Sequence, residues 1–534
     1  MNFKYAIRFM LLCSLLIANY TVNAQNIKND IFWKTIDGKP IYSQGGGIFT
    51  FPDPISGKDT YYWYGVNYEE AETYRNNPAI TLKTSTFKTV TCYSSADLVN
   101  WKFEAYVLTK ENAFTNGKPT WLGRLGVTYN KNLKKYAMFV QRGAKVLVAV
   151  SDSPTGQFTE HNEINMEPMI GTTNTGDQTV FTDPDTGISY LIYCYGKGRD
   201  KLYISQIGIK DGKIGLLDCI KIFAGESREG NCMFKYKGRY YVNASNIYGW
   251  DSSFAYYLVA DDIRGPYTPI KSMAIMKGSE ADYAHISQTG FFVSVRGSKQ
   301  ETIIFCGDRW SDFAGNGLGY NVWCPLSFEG SVPYFNSLSS WNLNAKSGEW
   351  TVANDNNYVM NGSFEADRNR IPSKVKPVQD HLLGWETTVI EGNKVSVSDD
   401  ASPVLNYFNT EADRKEVIGE KSLHISDSVN FKRKISQVIA SSPFVKLPDG
   451  LYTLTAKVQN SSGFTKLEMY AQSNGKTLTN SFKNENISWQ TITIKDILVK
   501  GGKADIGFSA EGSANAFCHI DDITLVKAVQ LRIK

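Results

Sequence analysis

Two carboxylates lead similar stretches of this chain. Asp177 opens DQTVFTDPDTGISYLIY, and Glu229 opens EGNCMFKYKGRYYVNAS. Each stretch reads as a strand, a polar turn and a second, aromatic-rich strand. Three other segments share the pattern, with a polar residue in the matching place. Gln44 precedes GGGIFTFPDPISGKDTYYWYG, Arg124 heads RLGVTYNKNLKKYAMFV, and Gln288 heads QTGFFVSVRGSKQETIIFCG. If the five hairpins are equivalent, these five side chains converge on one mouth. Polar groups gathered in a buried mouth are costly unless they bind something. A pair of acids there suits glycoside hydrolysis, in which a carboxylic acid protonates the leaving oxygen and a second carboxylate works across the sugar. A partly buried Glu229 beside Asp177 would have its pKa pushed upward, as a proton donor near neutral pH requires. Asp177 would supply the like charge and orient the donor. The competing reading is structural: each acid pairs with an arginine, such as Arg124 or Arg228, and ties neighbouring units together.

The elements that must position these groups follow from the repeat. The hairpins recur roughly every 50 to 80 residues, which leaves room for four short strands each, the size of a propeller blade. Further strands are expected at VTCYSSADLVNW, KVLVAVSDS and LYISQIG. A chain of 534 residues exceeds one compact core. Its 13% aromatic content, with 44 Gly against 17 Pro, favours strands and turns. The expected class is all-β: a five-bladed propeller over 25–350, a linker over 351–358, and a β-sandwich over 359–534. The sandwich is read from the alternating strands GLYTLTAKVQN, TKLEMYAQS and SWQTITIKDILV. A pair of sandwiches with chance likeness among hairpins is the alternative for the first part.

Composition narrows the classes further. The net charge is +4, and no basic run reads as a nucleic-acid stripe. The first 24 residues have a basic start at Lys4 and Arg8, an apolar stretch and the small-residue site Val22-Asn23-Ala24. They read as a secretory signal peptide, so the mature chain is expected in the periplasm or outside the cell, with no membrane span after removal. Seven cysteines remain, an odd count without close spacing, so a disulfide framework and a zinc site are not expected. One disulfide stays open.

A resemblance sharpens this reading. GGGIF with YYWYG, YSSADLVNW, VAVSDSPTGQF, GDQTVFTDPDTGISYLIY, SREGNCMF and FCGDRW together resemble glycoside hydrolase family 43. The branch most similar contains exo-β-1,3-galactanases and relatives acting on arabinogalactan. The resemblance spans roughly 40–350 and implies a five-bladed propeller with inverting chemistry and no cofactor for catalysis. It places Glu229 as general acid and Asp177 as the acid that tunes and orients it. The usual family base, an aspartate of the first blade, is replaced by GGG with Gln44 before it. In the galactanase branch a glutamine of the last blade is proposed to position water, and Gln288 matches it. Relatives tend to carry Glu-Arg where this chain has Gly123-Arg124, which admits a furanoside as well as a galactopyranoside. The second domain, with NGSFE at its start and HIDDITL near its end, resembles jelly-roll carbohydrate-binding modules. Such modules often share a calcium between start and end strands, and Glu365 and Asp522 match that arrangement.

Other residues are candidates for the substrate-binding mouth. Gln44 and Arg124 belong to the ring; Asp308, Arg309 and Trp310 end the fifth hairpin, and Tyr248, Trp250 and Asp251 follow the fourth. Aromatic groups beside polar ones are usual sugar platforms. Trp63 and Tyr64 read as packing residues, and His285 as a structural hydrogen-bonding group. The function expected is a secreted, exo-acting, inverting hydrolase that removes terminal galactosyl, arabinofuranosyl or galactofuranosyl units from arabinogalactan-type polysaccharide. The alternative is a carbohydrate-binding protein that keeps the funnel without turnover.

Overall fold

A computed structural model of the chain describes residues 26–528 apart from 30, 77–81, 83, 116–118, 144, 174, 248–252, 281, 283–286, 312–315, 367–381, 396–405 and 408–420. The side chains of 309–320 and 406–407 also lie outside the described set. The alternating, aromatic-rich hairpins fold as antiparallel sheets, five of which make up the first domain. Blade 1 runs Gln44–Pro52, Asp59–Tyr68, Phe87–Ser95 and Lys102–Thr109. Blade 2 runs Leu122–Asn130, Lys135–Arg142, Lys145–Ser151 and Thr159–Ile164. Blade 3 holds Gln178–Thr182, Ser189–Cys194 and Lys201–Lys210; two strands, Lys213–Leu216 and Ile220–Ala224, share the outer edge of its third. Blade 4 runs Glu229–Tyr236, Arg239–Ser245, Tyr256–Ala260 and Ala274–Ile275. Blade 5 runs Gln288–Arg296, Glu301–Ser311, Asn316–Glu329 and Val332–Phe335.

The first strand of each blade touches the first strands of its two neighbours, and the fifth touches the first. The sheets therefore close around one axis as a five-bladed propeller, with the inner strands lining the channel. Turn chemistry sets the inner hairpins. In blade 1 Asp53 caps its own turn, accepting the Ser56 amide at 2.6 Å, and the Gly57 amide closes on the Asp53 carbonyl at 2.8 Å. The DPDTG turn of blade 3 repeats this with Gly187 and Asp183.

Apolar side chains fill the seams between blades. Phe139, Val148, Val180 and Leu191 pack between blades 2 and 3, and Ile192, Ile204, Val242 and Leu258 between blades 3 and 4. Tryptophans fill the closing seam. Trp63, Trp101, Trp323 and Trp341 are buried there, and Trp33 meets Trp323 edge-on at 4.7 Å. Each such side chain contributes about 1.5–3 kcal/mol on burial, which is where much of the aromatic content is used.

After the propeller, Ser340–Leu343 pairs on one side with Asn26–Lys28 and on the other with Trp350–Val352. The second domain packs two five-stranded antiparallel sheets face to face around Leu423, Ile435, Leu454, Met469, Ile506 and Leu525. Its start and end meet, since the Ile523 amide donates to the Gly362 carbonyl at 3.0 Å. Among the described residues no helix is long and apolar enough to cross a membrane. All seven cysteines described are free, so no disulfide forms among them.

Candidate active site

The funnel is built by a recurring irregularity. In blades 1, 2, 4 and 5 the register slips near the start of the inner hairpin, at Gln44/Gly47, Leu122/Leu125, Glu229/Cys232 and Thr289/Phe291. A bulge turns a strand and re-aims its side chains. Here the re-aimed residues are those at the strand starts. Gly230 shows why the local sequence matters: its φ is +64°, and a Cβ there would lie 2.4 Å from the Thr289 carbonyl oxygen. Only glycine allows blade 4 to approach blade 5 so closely just after Glu229.

Arg124 is the hub. Its Nε donates to Asp177 Oδ2 at 3.3 Å, its Nη1 to Asp308 Oδ2 at 2.7 Å, and its Nη2 to Gln288 Oε1. A Cβ on Gly45 would lie 3.6 Å from Arg124 Cγ, so the same side chain also borders blade 1. Arg124 thus crosses the axis and closes the funnel floor. Beyond it, residues further along the inner strands, among them Phe49, Val127, Phe181, Met233 and Phe292, line a cavity of about 720 Å³.

Glu229 and Asp177 share Arg199. Arg199 Nη1 donates to Glu229 Oε2 at 2.6 Å and lies 3.5 Å from Asp177 Oδ1. Asp177 also accepts the Gly230 amide at 2.9 Å, and its carbonyl accepts Asn231 Nδ2 at 3.1 Å. The Gln288 side chain hydrogen-bonds Glu229 as well as accepting Arg124. Gln288 Oε1 is the acceptor for Arg124, so the amide N–H is the group available to the carboxylate.

The two acids are driven apart electrostatically. Burial, and then the charge of Asp177, push Glu229 up to about 8, against the pull of Arg199 and Arg124. Burial would raise Asp177 too, but Arg199, Arg124 and the Gly230 amide hold it below the usual carboxylate range. One carboxyl group therefore keeps its proton at neutral pH while its neighbour is ionised, as a proton donor beside a tuning anion requires. Asp308 is raised by burial although Arg124 and the Gly45 amide oppose this.

The structure brings together Asp177, Glu229, Gln288, Arg124 and Asp308; Gln44 is buried at the adjoining strand start. Arg228 does not join them. It donates to Glu226 at 2.6 Å and lies over the Tyr256 ring at 3.9 Å. Arg199 takes the place considered for Arg228. Sequence reading missed Arg199 because it sits in the turn between Ser189–Cys194 and Lys201–Lys210, outside the hairpin repeat. Its φ of +54° is unusual for a residue with a side chain. Trp63 and Tyr64 are fully buried packing residues. Tyr248, Trp250, Asp251 and His285 lie outside the described residues, as do the side chains of Arg309 and Trp310.

Residues 52–317 match the family model described as glycosyl hydrolases family 43. The propeller is a family 43 glycosidase domain. No curated protein is similar enough in sequence to match the chain. Among solved structures, an exo-β-1,3-galactanase from Phanerochaete chrysosporium with β-1,3-galactotriose is 20% identical, with a TM-score of 0.54. It covers 94% of this chain and 100% of that one. An exo-β-1,3-galactanase from Clostridium thermocellum is 19% identical over 94% of this chain and 100% of that one, with a TM-score of 0.52. At these identities the family 43 domain shares its fold with them, and the sandwich is covered by the same alignments.

In the sandwich, Glu365 is buried and its Oε1 accepts the Lys421 amide at 2.8 Å, while Lys421 Nζ lies 3.5 Å from the Glu365 carbonyl. Asp522 follows the buried Asp521, whose Oδ1 accepts the Asp522 amide at 2.7 Å. Among the described residues no group of three or more His, Cys, Asp or Glu side chains is placed to hold a metal. Two acids alone fall short of the six to eight oxygens calcium takes.

Proposed function

We propose that this family 43 glycosidase is a secreted, exo-acting, inverting enzyme that releases terminal galactosyl, arabinofuranosyl or galactofuranosyl units from arabinogalactan-type polysaccharide. The observation that carries the reading is the Glu229–Asp177 pair. Glu229 is protonated near neutral pH in a buried funnel and has Asp177 beside it as a fixed anion. In this reading Glu229 gives its proton to the glycosidic oxygen as the bond breaks. Arg199 stays on Oε2 throughout and leaves Oε1 for the leaving group. Gln288 stands between Arg124 and Glu229 and orients the attacking water by donating from its amide; the water attacks the anomeric carbon as the glycosidic bond breaks and gives its surplus proton to solvent. The Arg124 floor supports exo action, because a polymer end fits a blind funnel and a continuous chain does not.

The exchange of the usual first-blade aspartate for GGG supports a second reading, a carbohydrate-binding protein without turnover. One experiment separates the two. The mature protein is incubated with aryl β-galactopyranoside, β-galactofuranoside and α-L-arabinofuranoside and with debranched arabinogalactan. Release by wild type, lowered at least about 10²-fold in Glu229→Gln, supports the hydrolase; binding without release by either protein supports the lectin. The calcium reading for Glu365 and Asp522 needs backbone oxygens to complete a shell. A melting temperature unmoved by a chelator removes it.

A further inference from the structure

Trp121 stands at the entry to the inner strand of blade 2, three residues before Arg124. Its indole lies across Gly123: a Cβ at that position would fall 2.0 Å from Cη2 and 2.5 Å from Cζ3. Its ring is in electrostatic reach of the Tyr68 phenol, which is itself in reach of Asp308, Arg124 and Asp177. Tyr68 in turn donates to the Leu122 carbonyl at 3.2 Å. The 36% of Trp121 left exposed offers a largely apolar ring. The third and fourth blades present the opposite chemistry, the charges of Asp177 and Arg199 and the carboxyl group of Glu229. The mouth is amphipathic, and its occupant must be amphipathic too.

A galactopyranosyl ring has that character. Its axial 4-hydroxyl leaves the hydrogens of C3, C4 and C5 and the C6 carbon as one continuous apolar patch on the other face. A furanosyl ring is puckered and spreads hydroxyls over both faces, so it offers no patch of that size. We infer that Trp121 is the stacking platform of the funnel, that the missing side chain at Gly123 makes room for it, and that it selects a galactopyranosyl unit over a furanosyl one. This rests on the hydrolase reading above and names its substrate class.

The test compares wild type with Trp121→Ala, Trp121→Phe and Gly123→Ala on aryl β-galactopyranoside and aryl α-L-arabinofuranoside. The alanine variant should raise the galactoside KM by about tenfold or more with kcat within about threefold, the mark of lost binding rather than lost chemistry. Trp121→Phe should fall between. Gly123→Ala keeps the indole but displaces it, and should raise KM in the same way. The arabinofuranoside KM, if that substrate turns over, should move less than about twofold. An unchanged galactoside KM in Trp121→Ala, or equal rises on both substrates, overturns the platform. If Trp121→Ala melts early, Trp121→Phe and Gly123→Ala decide by the same criterion. If wild type releases no sugar, titration calorimetry with galactose replaces kinetics. Binding lost in the variants then keeps the platform while hydrolysis falls, and no binding by wild type overturns both.

Discussion

Arg199 Nη1 lies 2.6 Å from Glu229 Oε2. A cation so close favours the ionised carboxylate, yet Glu229 is held up at about 8 because burial and Asp177 outweigh it. Removing the cation leaves those two causes opposed only by Arg124 and the Gln288 amide. Arg199→Met should therefore move the alkaline limb of the pH–rate profile to higher pH. A limb that moves down, or not at all, would mean that Arg199 does not sense the donor's charge.

Asp177→Asn should do the reverse. The like charge that raises Glu229 is lost, and the donor loses its proton at lower pH. The alkaline limb of kcat/KM should fall by about one pH unit, while Asn keeps the contacts to Arg124 and Gly230. An unmoved limb removes Asp177 from the tuning role.

The same shift has a stability consequence. A folded-state Glu229 near 8 stays protonated while the unfolded chain ionises at the ordinary value of 4.5. Folding is thus penalised increasingly as pH climbs from about 4.5 to 8, and not below that window. Glu229→Gln has no charge to bury. Its melting temperature should exceed that of wild type by a margin that grows between those pH values, as scanning calorimetry at several pH values would record; a pH-independent difference refutes it.

Arg124 lies between Asp177 and Asp308, and all three side chains are largely buried. Arg124→Met leaves both buried without their shared cation, and should cost roughly 3–5 kcal/mol in denaturant unfolding. It should also abolish activity by freeing Gln288. Loss under about 1 kcal/mol would show that the floor is not held by this hub.

Gly230→Ala adds one methyl group beside the Thr289 carbonyl, on a backbone with φ of +64°. Both the clash and the left-handed backbone oppose it. Activity should fall by more than tenfold as Glu229 is displaced, measured on protein that still binds galactose.

The parts legible beforehand are those carried by a repeated local pattern. Each inner hairpin announces itself by an aromatic strand beyond a polar turn, and five such hairpins favour a ring over a pair of sandwiches. The strand-start positions of Gln44, Asp177, Glu229 and Gln288 could be read because blade symmetry converts sequence alignment into spatial convergence. Arg199 and Trp121 could not be read this way, since each belongs to a segment outside the repeat. The partner of an acid is chosen by loop geometry, which explains why Arg228, adjacent to Glu229 in sequence, faces Tyr256 while Arg199 reaches the site from another turn. A signal for Trp121 was present in Gly123, a residue without a side chain where a neighbouring indole needs the space.

The pairing of Asn26–Lys28 with Ser340–Leu343 joins segments more than 300 residues apart. Translation therefore delivers the first strand long before its partner exists, and the earliest-made segment is among the last to settle. The pairing that joins the two ends of this domain becomes a late event in assembly. A nascent chain stopped before Ser340 would hold the acid, its tuning neighbour and the floor in sequence, yet would lack the stitch that draws the last blade against the first.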